Sequence, residues 1–153
     1  MLVSAWMNTD YFLKPGELIV TKNPIHITTI LGSCISVSLF DPVLKLGGMN
    51  HYMLPFWNGR DQNPFKYGNC AIKALIKRMV NNGAVHDRII AGVYGGAFSS
   101  NSVFKIGHQN AMIAQEVLHE QGIKIHEQNV GGRYGRKIRF SVSTNEVIIN
   151  YLN

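Results

Sequence analysis

Apolar positions along this chain fall into short runs of strand character, parted by turn-forming residues and interrupted by two stretches of helical spacing. Pro15 and Gly16 mark a turn before LIVT at 18–21, which reads as a first short strand. Asn23 and Pro24 turn the chain into residues 25–31, rich in β-branched side chains, and Gly32 and Ser33 break that run just before Cys34. From 34 to 40 the pattern alternates, with Ile35, Val37 and Leu39 on one side and Cys34, Ser36 and Ser38 on the other. That parity predicts a thiol facing away from the apolar side. Asp41 and Pro42 close this strand, and residues 47–54 read as the next, with His51 in its middle and Pro55 at its end.

Residues 56–64, FWNGRDQNP, have the composition of a loop. Between 67 and 82, Ile72, Leu75, Ile76, Met79 and Val80 have the spacing of an amphipathic helix, which the following NNG stops. Residues 88–94 form a short apolar strand running into Gly95 and Gly96, followed by a polar loop at 99–102. A second helix spans about 109–121, where Ala111, Ile113, Ala114, Val117 and Leu118 share a face and Gly122 ends it. The remainder, 124–130, the alternating Ile138, Phe140 and Val142, and 146–152, is rich in strands. The order lacks the regular alternation of a doubly wound sheet. It predicts an α/β fold of layered mixed β-sheets packed together, with two main helices on the outside, in one domain over 1–153 whose first ten residues are a flexible lead-in.

With 46% hydrophobic and 16% charged residues, the chain has the composition of a compact fold, not of a disordered one. No apolar run approaches the roughly 20 residues that span a bilayer. The N-terminal MLVSAWM has neither the basic region nor the cleavage site of a secretory leader, so the expected location is the cytoplasm, with Cys34 and Cys70 reduced. The net charge of +6 favours acidic partners. Its carriers are scattered. Only RYGRKIR at 133–139 concentrates them, and its alternation with apolar residues reads as a solvated strand face, not a nucleic-acid patch.

Cys34, behind a glycine and a serine, and His51, across a fold-back made by Asp41, Pro42, Gly47 and Gly48, are the minimum for thiol-based acyl transfer. The imidazole is expected to take the thiol proton and return it to the leaving group. No second or third ligand stands at a spacing that would make His51 a metal ligand, and no phosphate-binding motif accompanies the glycines at 131, 132 and 135. Cys70, on a helix flank without a neighbouring glycine break or histidine, reads as a bystander. His26, His86, His108, His119 and His126 read as surface or loop residues.

LGSC at 31–34, DP at 41–42, GGMNHYMLP at 47–55, YGNCAIKALI at 67–76, YGGA at 94–97, IGHQN at 106–110 and VGGRYGRKIRF at 130–140 follow one another in an order that resembles the CheD family, the chemoreceptor glutamine deamidases of bacterial chemotaxis. The resemblance implies a CheD-like cysteine hydrolase fold and a Cys-His-Thr site. On the matching positions these are Cys34, His51 and Thr28, the register from LGSC favouring Thr28 over the adjacent Thr29. It implies hydrolysis of glutamine side-chain amides on the cytoplasmic domain of chemoreceptors through a thioester, with no cofactor or metal, and a CheC-type phosphatase as a further partner. Backbone N–H groups around Ser33 and Cys34 are the natural oxyanion hole, Gly32 letting the chain turn to expose them.

Three positions depart from the family pattern, each losing a charged side chain: Gln109 in the IGHQN block, Gly92 before YGGA, and Asn129 before VGG. They leave the three candidate catalytic residues intact and bear on partner docking. The alternative is a non-catalytic module that keeps the fold and regulates a phosphatase or receptor by binding. The loops at 56–64 and 99–102 are the expected walls of the site.

Overall fold

The computed structural model describes residues 10–99 and 105–153. Nine strands and two helices among them form three layers: the helices, a five-stranded sheet and a four-stranded sheet. The strands are β1 (Asp10–Phe12), β2 (Leu18–Thr21), β3 (His26–Leu31), β4 (Ile35–Asp41), β5 (Leu46–Asn50), β6 (Ile90–Gly95), β7 (Lys124–Val130), β8 (Gly135–Ser141) and β9 (Val147–Leu152). The helices are α1 (Gly68–Asn81) and α2 (Ile106–Glu120). The four-stranded sheet runs β1-β3-β8-β9 and the five-stranded sheet β2-β5-β4-β6-β7. Both are mixed, through the parallel pairs β1–β3 and β6–β7. Helix α2 is the crossover between β6 and β7, as a parallel pair requires.

Two apolar layers follow from the strand alternation. Ile35, Val37 and Leu39 of β4 pack with Leu75 and Met79 of α1 and with Ile113 and Val117 of α2. On the other side of the same sheet, Phe40, Met49 and Tyr94 meet Ile27, Leu31, Ile138 and Phe140 of the four-stranded sheet. Strand β4 is central and every one of its residues is buried. The Cys34, Ser36 and Ser38 side, expected to lie away from the apolar side, faces a second apolar layer, and Cys34 packs against it.

Other expectations shift. His51 lies one residue beyond β5, not in mid-strand. Helix α2 starts at Ile106, ahead of the apolar spacing at 109, and its Gly107 fits against Gly96 and Ala97 where a side chain would collide. The end of the expected lead-in, Asp10, opens β1, while residues 1–9 of it lie outside the described residues, as do 100–102 of the polar loop. In the basic run, Lys137 is exposed as expected, but Arg136 is 2% exposed and faces inward. Its guanidinium bonds the carbonyls of Asn129, Gly131 and Tyr134 and the side chain of Asn129, and lies over the Tyr151 ring. The carbonyls make up for the water it loses. No described helix is long and apolar enough to cross a membrane.

Candidate active site

Cys34 and His51 come together through the pairing of β4 with the chain that continues β5. Ile35 and Tyr52 exchange both backbone hydrogen bonds, at 3.1 and 2.9 Å. In that antiparallel register Ser36 stands opposite His51, and Cys34 is its diagonal neighbour on the same face, at a Cα separation of roughly 7–8 Å. His51 is held on its other side by the turn before β2, its N–H bonding Glu17 O and its carbonyl receiving Gly16 N–H. Thiol and imidazole thus lie between the two sheets, the thiol half-buried and the imidazole buried.

The four-stranded sheet supplies the third member. Thr29 Oγ1 lies 2.7 Å from His51 Nδ1, and it donates to Leu13 O at the same distance. A hydroxyl has one proton. Committed to Leu13, it leaves Thr29 as acceptor, so Nδ1 carries the imidazole proton and Nε2 is the basic nitrogen. The expectation that Thr28 makes this bond is corrected. Strand alternation sends Thr29 inward with Ile27 and Leu31, whereas Thr28 points to the opposite face, beside its register partners Phe12 and Arg139.

Burial pushes the His51 pKa down to about 4, so the ring is neutral at pH 7. Its Nε2 is buried without a partner among the described residues, ready to accept a proton. Burial pushes the Cys34 thiol up, and its own backbone N–H works in the opposite direction. The resting pair is a neutral thiol beside a neutral base, not a preformed thiolate and imidazolium. Such a pair attacks by transferring its proton as the sulfur–carbon bond forms.

Three consecutive carbonyls around the cysteine are pinned from outside. Gly32 O accepts from Ala97 N–H at 2.9 Å, Ser33 O from the Asn110 side chain at 2.9 Å, and Cys34 O from Gly96 N–H at 2.8 Å. Gly95 and Gly96 make this approach possible: both have positive φ, +109° and +68°, and a Cβ on Gly95 would run into Cys34 O. The Ser33 and Cys34 N–H groups make no backbone hydrogen bond to another described residue. Asn110 was not singled out from the sequence beyond its place in IGHQN. Its signal was an asparagine in the second turn of a helix that is otherwise apolar on its inner face.

A groove of ≈ 270 Å³ is lined by Pro55, Phe56, Gln109, Met112, Ile113 and Glu116, none of them a candidate catalytic residue. Phe56 of the 56–64 loop lines this groove. Of the three departures from the family pattern, Gln109 lies on this groove, whereas Gly92 is buried against the Tyr94 hydroxyl and Ser38, and Asn129 serves Arg136. Cys70, on α1, has no part in the constellation. No group of three or more acidic, histidine or cysteine side chains among the described residues could hold a metal ion.

Residues 53–151 match the family model described as CheD chemotactic sensory transduction. The chain is 37% identical to the probable chemoreceptor glutamine deamidase CheD of Sulfurimonas denitrificans, over 92% of this chain and 93% of that protein. It is 39% identical to the protein of the same name from Trichlorobacter lovleyi, over 91% and 88%, and 42% identical to that of Agrobacterium fabrum, over 82% and 70%. Among solved structures, the hypothetical protein YfiH of Bacillus licheniformis superposes with a TM-score of 0.51 over 80% of this chain and 59% of that one, at 12% identity, a likeness of fold alone. With the layered fold in place, these matches over nearly the whole length mean that the chain belongs to the CheD family.

Proposed function

We propose that this protein is a protein-glutamine deamidase that converts specific glutamines of chemoreceptor cytoplasmic domains to glutamate, with Cys34 as nucleophile, His51 as base and acid, and Thr29 as the residue that orients the imidazole. The carrying observation is the Thr29–His51 bond, which leaves Nε2 as a free base on the face that Cys34 shares. The relatives named above as chemoreceptor glutamine deamidases supply the substrate class.

As Cys34 Sγ attacks the carboxamide carbon, its proton passes to His51 Nε2 and the carbonyl oxygen becomes an oxyanion facing the Ser33 and Cys34 N–H groups. The imidazolium protonates the nitrogen, the carbon–nitrogen bond breaks, ammonia departs and a thioester remains. Water then gives a proton to Nε2 and attacks the thioester, and collapse returns the thiol and leaves glutamate. We place the reaction in the cytoplasm, and a CheC-type phosphatase is the further partner that the family suggests.

The experiment is incubation with receptor cytoplasmic fragments, followed by mass spectrometry of each glutamine. Conversion to glutamate that disappears in Cys34→Ala supports the reading. Conversion that survives in that variant removes Cys34 as nucleophile. No conversion by the wild type, with Cys34 no more reactive than Cys70, favours the binding module instead.

A further inference from the structure

Asn110 is completely buried at the start of α2 and joins the two halves of the candidate site. Its side-chain amide donates to Ser33 O and to Met53 O, each at 2.9 Å, while its own backbone carbonyl accepts from Tyr52 Oη at 2.6 Å. One residue therefore holds the peptide before the cysteine and the chain just beyond the histidine. Its amide orientation is determined by these partners, because a flipped amide would set Oδ1 against two carbonyl oxygens. Oδ1 itself is buried without a partner among the described residues. A group that leaves its own acceptor unsatisfied to direct both N–H bonds at the site is unusual in a protein interior.

We propose that Asn110 is a positioning residue that aims the Cys34 N–H into the oxyanion hole; the inference rests on Cys34 being the nucleophile. A trans peptide is planar, and its C=O and N–H point in opposite directions. Ser33 C=O and Cys34 N–H belong to one peptide. Holding the oxygen toward α2 turns the N–H away from α2 and toward the space where a carbonyl undergoing attack on Cys34 carries its charge. The peptides on either side are held through Gly32 O and Cys34 O by backbone N–H groups of the Gly96 loop, which side-chain mutation does not remove. The Ser33–Cys34 peptide alone depends on a side chain. Only a primary amide of this length fits: an ionised aspartate donates nothing, and serine donates once.

The test separates a reaction with a tetrahedral oxyanion from one without. Acylation of Cys34 by p-nitrophenyl acetate forms the sulfur–acyl bond through such an intermediate and expels p-nitrophenolate, whereas alkylation by iodoacetamide displaces iodide with no oxyanion. Both are followed at Cys34 by peptide mapping at one fixed alkaline pH, so that the thiolate fraction enters both rates alike. In Asn110→Ala and Asn110→Asp, acylation should fall ~10- to 100-fold, in kcat and not KM, with alkylation within about threefold of wild type. Asn110→Ser, with one donor, should fall between and covers the case in which the other variants fail to fold. Parallel losses in both reactions, or no loss in acylation by a folded variant, would overturn the proposal. A wild type that is acylated but does not deamidate receptor fragments removes the proposed substrate while leaving this comparison decisive. A wild type that is not acylated at Cys34 overturns both.

Discussion

The Thr29 hydroxyl and His51 Nδ1 lie 2.7 Å apart, and they come from different sheets. The contact therefore reports the docking of the two sheets as well as the state of the imidazole. With the hydroxyl proton on Leu13 O, the bond selects the Nδ1–H tautomer, so the base that meets the thiol exists only while the sheets are in register. Replacing Thr29 by valine keeps the shape and removes the acceptor. Deamidation of a receptor fragment should fall ~10- to 100-fold in kcat, and Thr29→Ser should recover most of it. Thr28→Val, on the opposite face, should stay within about threefold of wild type. The reverse ranking would restore Thr28 to the site.

The pH profile follows from the neutral resting pair. His51 must be unprotonated to accept the thiol proton, and its pKa is about 4. The acid limb of kcat/KM should accordingly fall near pH 4, not near the ordinary histidine value of about 6.5. Because burial raises the thiol, Cys34 alkylation by iodoacetamide should climb above the ordinary cysteine range without a shoulder near neutrality. A thiolate signal at 240 nm titrating below pH 6 would instead establish a preformed ion pair.

Stability should carry two separate acid transitions. The folded His51 pKa, about 4, is below its unfolded value of 6.5. The unfolded chain thus takes up the proton first, and about 3 kcal/mol of stability present above pH 6.5 is lost as the pH falls to 4. Asp41 contributes lower down. Burial raises its pKa, but the Arg88 guanidinium and the Val85, Leu44 and Val43 N–H groups overcome that and hold it at about 2. Its contribution, on the order of 1–2 kcal/mol beside a partly exposed Arg88, is present above the unfolded value near 3.8 and fades as the pH falls through 2. Urea melts from pH 8 to 2 should show the first slope in wild type and lose it in His51→Gln, whereas Asp41→Asn should lower stability by a constant amount above about pH 4 and flatten the slope below it.

The layers were readable because β4 and the helices repeat apolar residues at periods of two and of three to four, and those periods are set by backbone geometry. What stayed hidden depended on partners far away in the chain. Alternation in β4 could not tell solvent from a second sheet, because small polar residues suit either side: Ser38 is buried between the sheets as fully as Val37 is under the helices. Which of Thr28 and Thr29 faces His51 depends on how the irregular turn at Gly32 and Ser33 carries the register, and it is Thr29 that bonds the imidazole. The role of Asn110 stayed hidden for a related reason. Its bonds to Ser33 and Met53 require α2 to dock on the cysteine turn, and no local pattern encodes that.

Arg136 gives the last prediction. It is a buried cation surrounded by carbonyls, and among the described residues it has no carboxylate partner; its pKa is lowered, first by burial. Asn129 already offers Oδ1 to the guanidinium, and its Nδ2 lies 3.0 Å from the Tyr151 hydroxyl. A carboxylate in the same place would keep the first bond and make it charge-assisted, and the hydroxyl need only rotate to donate to the second oxygen. Asn129→Asp should thus stabilise the fold by about 1 kcal/mol, a rise in Tm of roughly 2–4 °C for a chain of this size. The gain should shrink as the aspartate protonates below about pH 4. Scanning calorimetry at pH 7 and pH 4 measures both. An unchanged or lowered Tm at pH 7 would mean that the carbonyl cage already satisfies the cation and that the cost of burying a carboxylate exceeds the pairing.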